Sequence, residues 1–308
     1  MKINFIGNRR KAYFLSAVLV IAGFLSLTIF GLNLGIDFTG GTVLHLNLGE
    51  DFTMGEVQEV IAPFEELEGA VIQVVQSRDL SGELADEGLV IKASYIEEER
   101  RDMILSAFRD RWPALDPADL RIESVGPVIG GELARQAILS LSVAILLMVG
   151  YITFRFEFKF ALATIAALLH NIIIVIGIFS ILQMEINVPF VAAILTVFGY
   201  SVNDTIVIFD RIRENIKHQK KGNYSTLVNE SINQNLVRSI NTSLTTLFVL
   251  TALLFGFHYF IGSLDLVVFV VALILGVIVG TYSSIFVASP LWLNLQDVSF
   301  GQKRSRAA

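Results

Sequence analysis

The chain has 308 residues, 54% of them hydrophobic and only 17% charged, against about 25% charged in soluble domains, and its mean hydropathy is +0.64. These values exclude an ordinary soluble globular protein and point to a polytopic membrane protein. Cysteine is absent, so disulfides, thiol catalysis and cysteine metal sites are excluded, and the four histidines (His45, His170, His218, His258) lack metal-ligand spacing. The net charge of −6 is unevenly spread: Leu34 to Leu133 holds 21 acidic and 7 basic residues, and the remainder holds 8 and 16. An acidic soluble domain is therefore expected inside a basic-rimmed membrane protein.

In chain order, the first apolar stretch runs from Tyr13 to about Leu32, too long for a cleavable signal peptide and followed by no small-residue cleavage site. The acidic segment Leu34–Leu133 follows and reads strand, helix, strand, strand, helix, strand. Thr42–Leu48 alternates. Thr53–Leu67 has helical spacing, with Val57, Val60, Ile61 and Phe64 on one face, a Thr53/Glu56 capping box at its start and Pro63 set to kink its last turn. Ala70–Gln76 and Gly88–Ala93 read as strands. Ile96–Trp112 reads as an amphipathic helix with Met103, Leu105 and Phe108 among its apolar positions, and Leu120–Val125 closes the series. This order predicts a ferredoxin-like α+β sandwich. Glu65-Glu66 and Glu97-Glu98-Glu99 read as solvated helix faces, and no catalytic constellation is apparent.

Glycines bracket this domain: Gly35, Asp37, Gly40 and Gly41 on the way in, Gly126, Pro127, Gly130 and Gly131 on the way out. Neither string fits a phosphate-binding or dinucleotide pattern, so no cofactor is expected. Both read as hinge-like joins, with a rigid turn equally compatible.

Five more spans follow: Gln136–Phe154, Phe160–Leu182, Val188–Phe209, Ser239–Phe260 and Leu264–Leu293. Lys and Arg gather at the N-terminus (Lys2, Arg9, Arg10, Lys11), after span two (Arg155, Lys159), after span four (Arg211, Arg213, Lys217, Lys220, Lys221) and in the tail (Lys303, Arg304, Arg306). The turns at Glu185–Asn187 and Ile261–Ser263 carry none. By the positive-inside rule both termini are expected in the cytoplasm and the acidic domain outside. The basic tail reads as a membrane-surface element rather than a nucleic-acid site. Four regions are thus expected: residues 1–33 (terminus and first span), 34–133 (outer domain), 134–295 (spans two to six) and 296–308 (basic tail).

Asp204 lies inside span four, where an ionised carboxylate costs roughly 2.5–3.5 kcal/mol even on lenient insertion scales. Intramembrane acids of this kind mark ion or proton paths. Ser201, Asp204 and Thr205 share a helical face, with Asn203 adjacent. On span five, Arg238, Asn241, Thr242 and Thr245 fall at i, i+3, i+4 and i+7. Two polar stripes on neighbouring spans satisfy each other by facing inward, which makes Arg238 the natural partner of Asp204. With Arg238 close the charged carboxylate is favoured, and with it withdrawn desolvation favours the neutral acid. Placing Arg238 at the cytoplasmic interface, its head snorkelling to water, fits the sequence as well. Asp210, Arg211, Arg213 and Glu214 read as an interfacial helix end, Gly276, Gly280 and Ser284 as a packing stripe, and His170 with Asn171 as a relay extension or a single interhelical bond.

The strings Gly35–Thr42, Val125-Gly126-Pro127, Gly199–Asn215 (GYSVNDTIVIFDRIREN) and Arg238–Thr246 resemble the SecF side of the SecD/SecF family of bacterial protein export, within the resistance–nodulation–division superfamily. The resemblance covers nearly the whole chain. It implies six transmembrane helices with one ferredoxin-like extracytoplasmic domain between the first two, no enzymatic activity, and no cofactor or metal. It also implies proton-coupling roles for Asp204 and Arg238, supported by Ser201, Asn203, Thr205, Asn241, Thr242 and Thr245. The implied partners are SecD, the SecYEG channel, YajC, an unfolded preprotein in transit and the lipid bilayer, with no nucleic acid. The implied place is the bacterial cytoplasmic membrane, and the implied task is late-stage export driven by the proton motive force. Six spans form half of a twelve-span unit, so a second half is expected from another chain. The competing readings are half of a proton-coupled exporter of lipids or small molecules, and a structural subunit with an inert Asp204.

Overall fold

A computed structural model describes residues 3–50, 52–78, 84–115, 120–218, 223–261 and 263–296. The basic tail, Lys220, Lys221 and Gly262 lie outside these residues. Two compact units emerge: a helical unit, and a smaller unit formed by Leu34–Ile138 with Phe255–Leu264.

The smaller unit is built around a four-stranded antiparallel sheet. Its elements are the short helix α2 (Ile36–Thr39), β1 (Gly41–Asn47), α3 (Met54–Ile61), β2 (Val71–Arg78), β3 (Leu84–Ala93), α4 (Glu98–Arg111) and β4 (Leu120–Val125), in the sheet order β2-β3-β1-β4. The expected ferredoxin-like order is therefore present, with β1 in register against β3 (Leu44 opposite Ile91) and against β4 (Leu44 opposite Ile122). Alternation sends Leu44, Leu46, Leu89 and Ile91 to one side of the sheet. There they bury against Val57 of α3 and against Ile104, Leu105, Phe108 and Trp112 in and after α4. Met103 is half exposed and contributes less than its place in the sequence pattern suggests.

The Thr53/Glu56 capping box forms as expected, Thr53 Oγ1 accepting from the Glu56 amide and Glu56 returning to the Thr53 amide at 2.9 Å. Helix α3 stops at Ile61 rather than continuing to Leu67: Pro63 breaks it, and a 3₁₀ turn at Glu65–Leu67 completes the connection. Glu66 is not simply solvated. Arg100 Nε donates to its carboxylate at 2.5 Å and a second guanidinium nitrogen does so at 3.0 Å.

The membrane-type helices are α1 (Arg9–Ile29), α5 (Pro127–Arg155), α6 (Phe158–Leu182), α7 (Val188–His218), α8 (Tyr224–Gly256) and α9 (Leu264–Ser283), the last continuing through a π-helical turn at Ser284–Ala288 to Gln296. All six are long and apolar enough to cross a bilayer. Three differ most from the expected spans, while α1 starts four residues before the expected Tyr13 and ends at Ile29, three before Leu32. Helix α5 begins at Pro127, so Gly130 and Gly131 are helical rather than part of a loop. Helix α7 runs on to His218, and α8 starts fifteen residues ahead of the expected Ser239. Helices α1 and α6 cross at glycine, where a Cβ on Gly177 would lie 2.5 Å from Gly23 Cα.

A buried carboxylate held by hydroxyls

The position of Asp204 follows from how α7 packs on α9. The small residues Gly276, Gly280 and Ser284 recur every four residues on α9 and meet Val197, Ser201 and Thr205, the same spacing on α7. A Cβ on Gly276 would lie 2.1 Å from Val197 Cγ2, and one on Gly280 would lie 3.2 Å from Ser201 Cβ. The third rung is a hydrogen bond, Thr205 Oγ1 to Ser284 Oγ at 2.8 Å. This close approach buries the Ser201/Asp204/Thr205 face and leaves Asp204 only 7% exposed.

The partner of Asp204 on α8 is Ser239, whose hydroxyl donates to Oδ1 at 2.6 Å. Ser284 also faces the carboxylate, from α9. The second carboxylate oxygen, Oδ2, is buried without a hydrogen-bond partner among the described residues. Below Ser239 on the same face, Ser243 bonds Tyr200 of α7 at 3.1 Å and Thr281 of α9 at 2.6 Å. Ser239 and Ser243 thus join three helices around the acid.

The expected second stripe is displaced. Arg238, Asn241, Thr242 and Thr245 are exposed, and the hydroxyls of Thr242 and Thr245 return to carbonyls of their own helix at 2.9–3.0 Å. No ion pair joins Asp204 to Arg238 among the described residues. Arg238 instead lines a cleft of about 400 Å³ with Val207, Asp210, Arg211, Glu214 and Gln234. It sits mid-helix rather than at the end of α8. The reason is geometric. Residues one apart on a helix point about 100° apart, and on α8 the smaller Ser239 and Ser243, not the arginine stripe, fit against α7 and α9. Asn203 is likewise exposed and outside the network. Ser239 and Ser243 were missed as site residues; their i, i+4 spacing of small polar side chains is the signal that marks them.

On the other side, Asn171 of α6 donates to Ser201 Oγ at 2.9 Å and pairs with its neighbour His170 at 3.1 Å. His170 Nε2 is buried without a partner among the described residues, and its ring stacks on Tyr282. At the far end of α7, Arg211 bonds Glu214 at 2.6 Å, the expected interfacial i, i+3 pair.

The glycine joins are tightly packed at Gly40, Gly41 and Gly130. Gly40 has φ +73° and its Cβ position lies 2.8 Å from Pro127 Cα. A Cβ on Gly130 would lie 2.8 Å from the Gly40 amide nitrogen. The loop before β1 therefore lies directly on the first turn of α5, an approach only glycine permits. Gly126 and Gly131 have open space where a side chain would be.

The family described as "Protein export membrane protein SecD/SecF, C-terminal" matches residues 109–298, and the "SecD/SecF GG Motif" matches residues 25–46. The chain is 40% identical over 297 residues to the protein translocase subunit SecF of Desulfurispirillum indicum, covering 94% of this chain and 90% of that one. It is 38% identical to SecF of Rhodothermus marinus, covering 99% and 96%. It is 36% identical to SecDF of Bacillus subtilis, covering 95% of this chain but 38% of that longer protein. Among solved structures, the crystal structure of SecDF from Thermus thermophilus aligns with a TM-score of 0.80 at 37% identity, over 96% of this chain and 39% of that one.

Proposed function

Since the chain belongs to the SecD/SecF family of protein-export membrane proteins, we propose that it works with a SecD partner to turn the proton motive force into late-stage movement of secreted chains across the bacterial cytoplasmic membrane. Both termini lie in the cytoplasm and the α+β domain outside. SecD supplies the other half of the unit, as the fused SecDF relatives suggest. SecYEG, YajC and the preprotein complete the assembly.

The observation that carries this reading is Asp204: an acid buried in a span, held by the Ser239 hydroxyl, with Oδ2 unpartnered among the described residues. A group in that state is costly to keep for structure alone. It has chemistry when Oδ2 takes and gives up a proton. In the neutral form the carboxyl O–H becomes a donor; in the charged form the site calls for a further donor or cation. Arg238, the residue before Ser239 and about 100° round α8 on its exposed side, can supply that cation if α8 rotates or a partner helix covers it. Proton occupancy and the packing of α7, α8 and α9 are then linked, and one charge moved through 100 mV is worth about 2.3 kcal/mol, enough to bias such an equilibrium.

The test is export into inverted membrane vesicles containing the SecD partner and the channel, under an imposed proton gradient, comparing wild type with Asp204→Asn. Loss of only the gradient-dependent part of export, with normal assembly, supports the reading. Unchanged export makes Asp204 a structural hydrogen-bonding residue.

A further inference from the structure

The segment ahead of α1 is clamped to α8. The Ile3 amide donates to Asn233 Oδ1 at 2.9 Å and the Ile6 amide to Asn229 Oδ1 at 3.2 Å, while both asparagine amides donate back to the Ile3 carbonyl. Phe5 and Ile6 are buried beneath this clamp. Between the segment and the first turn of α8 lies a cavity of about 640 Å³, lined by Gly7, Arg9, Arg10, Ser225, Thr226 and Asn229 among others.

The chemistry of this lining is one-sided. Arg9, Arg10, Ser225 and Thr226 line it, and among the described residues no lining residue is acidic and neither Arg9 nor Arg10 forms an ion pair. Guanidinium forks and hydroxyl donors together suit a tetrahedral oxyanion, and the arginine pair supplies the charge. Location narrows the source. Arg9 is the first residue of a membrane-length helix, and within its first three turns α1 exposes Phe14, Leu15 and Val18. An anion in the cavity sits where phospholipid headgroups lie, with apolar surface beside it for acyl chains.

We infer that this cavity binds the phosphate of an anionic phospholipid headgroup, fixing the start of α1 against α8. The leaflet assignment rests on the cytoplasmic placement of the N-terminus proposed above; the phosphate chemistry does not.

The test is lipid binding to the purified full chain with its SecD partner in detergent, read by native mass spectrometry. Phosphatidylglycerol, phosphatidylcholine and inorganic phosphate serve as separate probes. Phosphatidylglycerol is expected to bind preferentially. Arg9→Gln with Arg10→Gln should weaken it by roughly 30-fold, at the usual worth of two interfacial arginines, whereas Lys11→Gln, outside the cavity, should change it less than about threefold. Because loss of two N-terminal arginines can invert insertion, Ser225→Asp provides a second probe: it leaves those charges in place, sets a carboxylate in the cavity and should also abolish preferential binding. Equal retention of the two lipids, or binding indifferent to both variants, overturns the proposal. Inorganic phosphate bound as tightly as phosphatidylglycerol overturns the lipid source. Asp204→Asn should bind phosphatidylglycerol like wild type, so failure of the proton-coupling reading is separable.

Discussion

Gly276→Ala tests the geometry on which the buried acid depends. The added Cβ would sit 2.1 Å from Val197 Cγ2, 2.6 Å from Cγ1 and 2.9 Å from Cβ. Val197 is buried, so its methyls have no open space to rotate into, and α7 and α9 must separate. Overpacking of this kind costs about 1–3 kcal/mol. The same separation stretches the Thr205–Ser284 bond two turns along, and interhelical bonds in membranes average about 0.6 kcal/mol. The gain in helix propensity from glycine to alanine, about 1 kcal/mol, opposes these terms without cancelling them. The net effect is about 1–2 kcal/mol, or an apparent Tm lower by roughly 2–8 °C in a chain of this size. The assay is thermal unfolding in detergent at fixed scan rate. Val197→Ala removes the atoms at 2.1 and 2.6 Å and should recover most of the loss in the double variant. Gly199→Ala, which has open space at its Cβ, is the control expected to be neutral. A Gly276→Ala protein as stable as wild type, or one that Val197→Ala fails to rescue, refutes the close-packed α7–α9 seam.

Other outcomes follow from the same contacts. Ser239→Ala should lower gradient-dependent export on the order of tenfold, since a bond to a carboxylate is worth about 1.5–3 kcal/mol, while Thr242→Ala and Thr245→Ala should leave it near wild type; equal effects from all three would contradict the site. Thr53→Ala should weaken the start of α3 by about 0.5–2 kcal/mol, seen as faster hydrogen exchange in its first turn and not in α4. Gly40→Ala places a side chain at φ +73° and 2.8 Å from Pro127 Cα, and should reduce folded yield where Gly126→Ala does not. Glu66 is held below the usual carboxylate range chiefly by its hydrogen bonds from Arg100. A carboxyl lowered on folding contributes stability above its unfolded value and loses it as pH falls through the folded one. Glu66→Gln should therefore speed exchange in α4 at neutral pH, and the difference from wild type should close on acidification below the ordinary value of 4.5.

What the sequence reveals, and what it conceals, follows from what each signal measures. Hydropathy finds α6 almost to the residue, because both ends of its apolar run are abrupt. It misses the first fifteen residues of α8, Tyr224–Arg238, because a polar helix carries no apolar run, and that omission left Arg238 at an apparent helix end. The βαββαβ order of the α+β domain is legible because alternation and helical spacing change at each boundary. Pro63 was legible as a disturbance but not as a full stop. Gly276, Gly280 and Ser284 announce a close contact, yet nothing in their spacing names Val197, Ser201 and Thr205 as the facing rungs.

The choice between the two polar faces of α8 carries the largest lesson. Arginine, asparagine and threonine are conspicuous in an apolar run, and a reader of the sequence turns them inward. Packing asks a different question, which residues are small enough to let three helices meet, and serine answers both. Ser201, Ser239, Ser243 and Ser284 are at once spacers where α7, α8 and α9 approach and hydroxyls of one hydrogen-bonded network, in which Ser239 donates to Asp204 and the others bond side chains of neighbouring helices. Packing and polarity are therefore confounded at each of these positions, and size must be varied apart from hydrogen bonding to separate them. Ser239→Ala keeps the size and removes the donor; Ser239→Thr keeps the donor and adds a methyl. If the hydroxyl is what matters to Asp204, the alanine variant loses gradient-dependent export while keeping its Tm, and the threonine variant loses Tm first. The reverse pattern would mean that Ser239 is a spacer and that the acid takes its partner elsewhere.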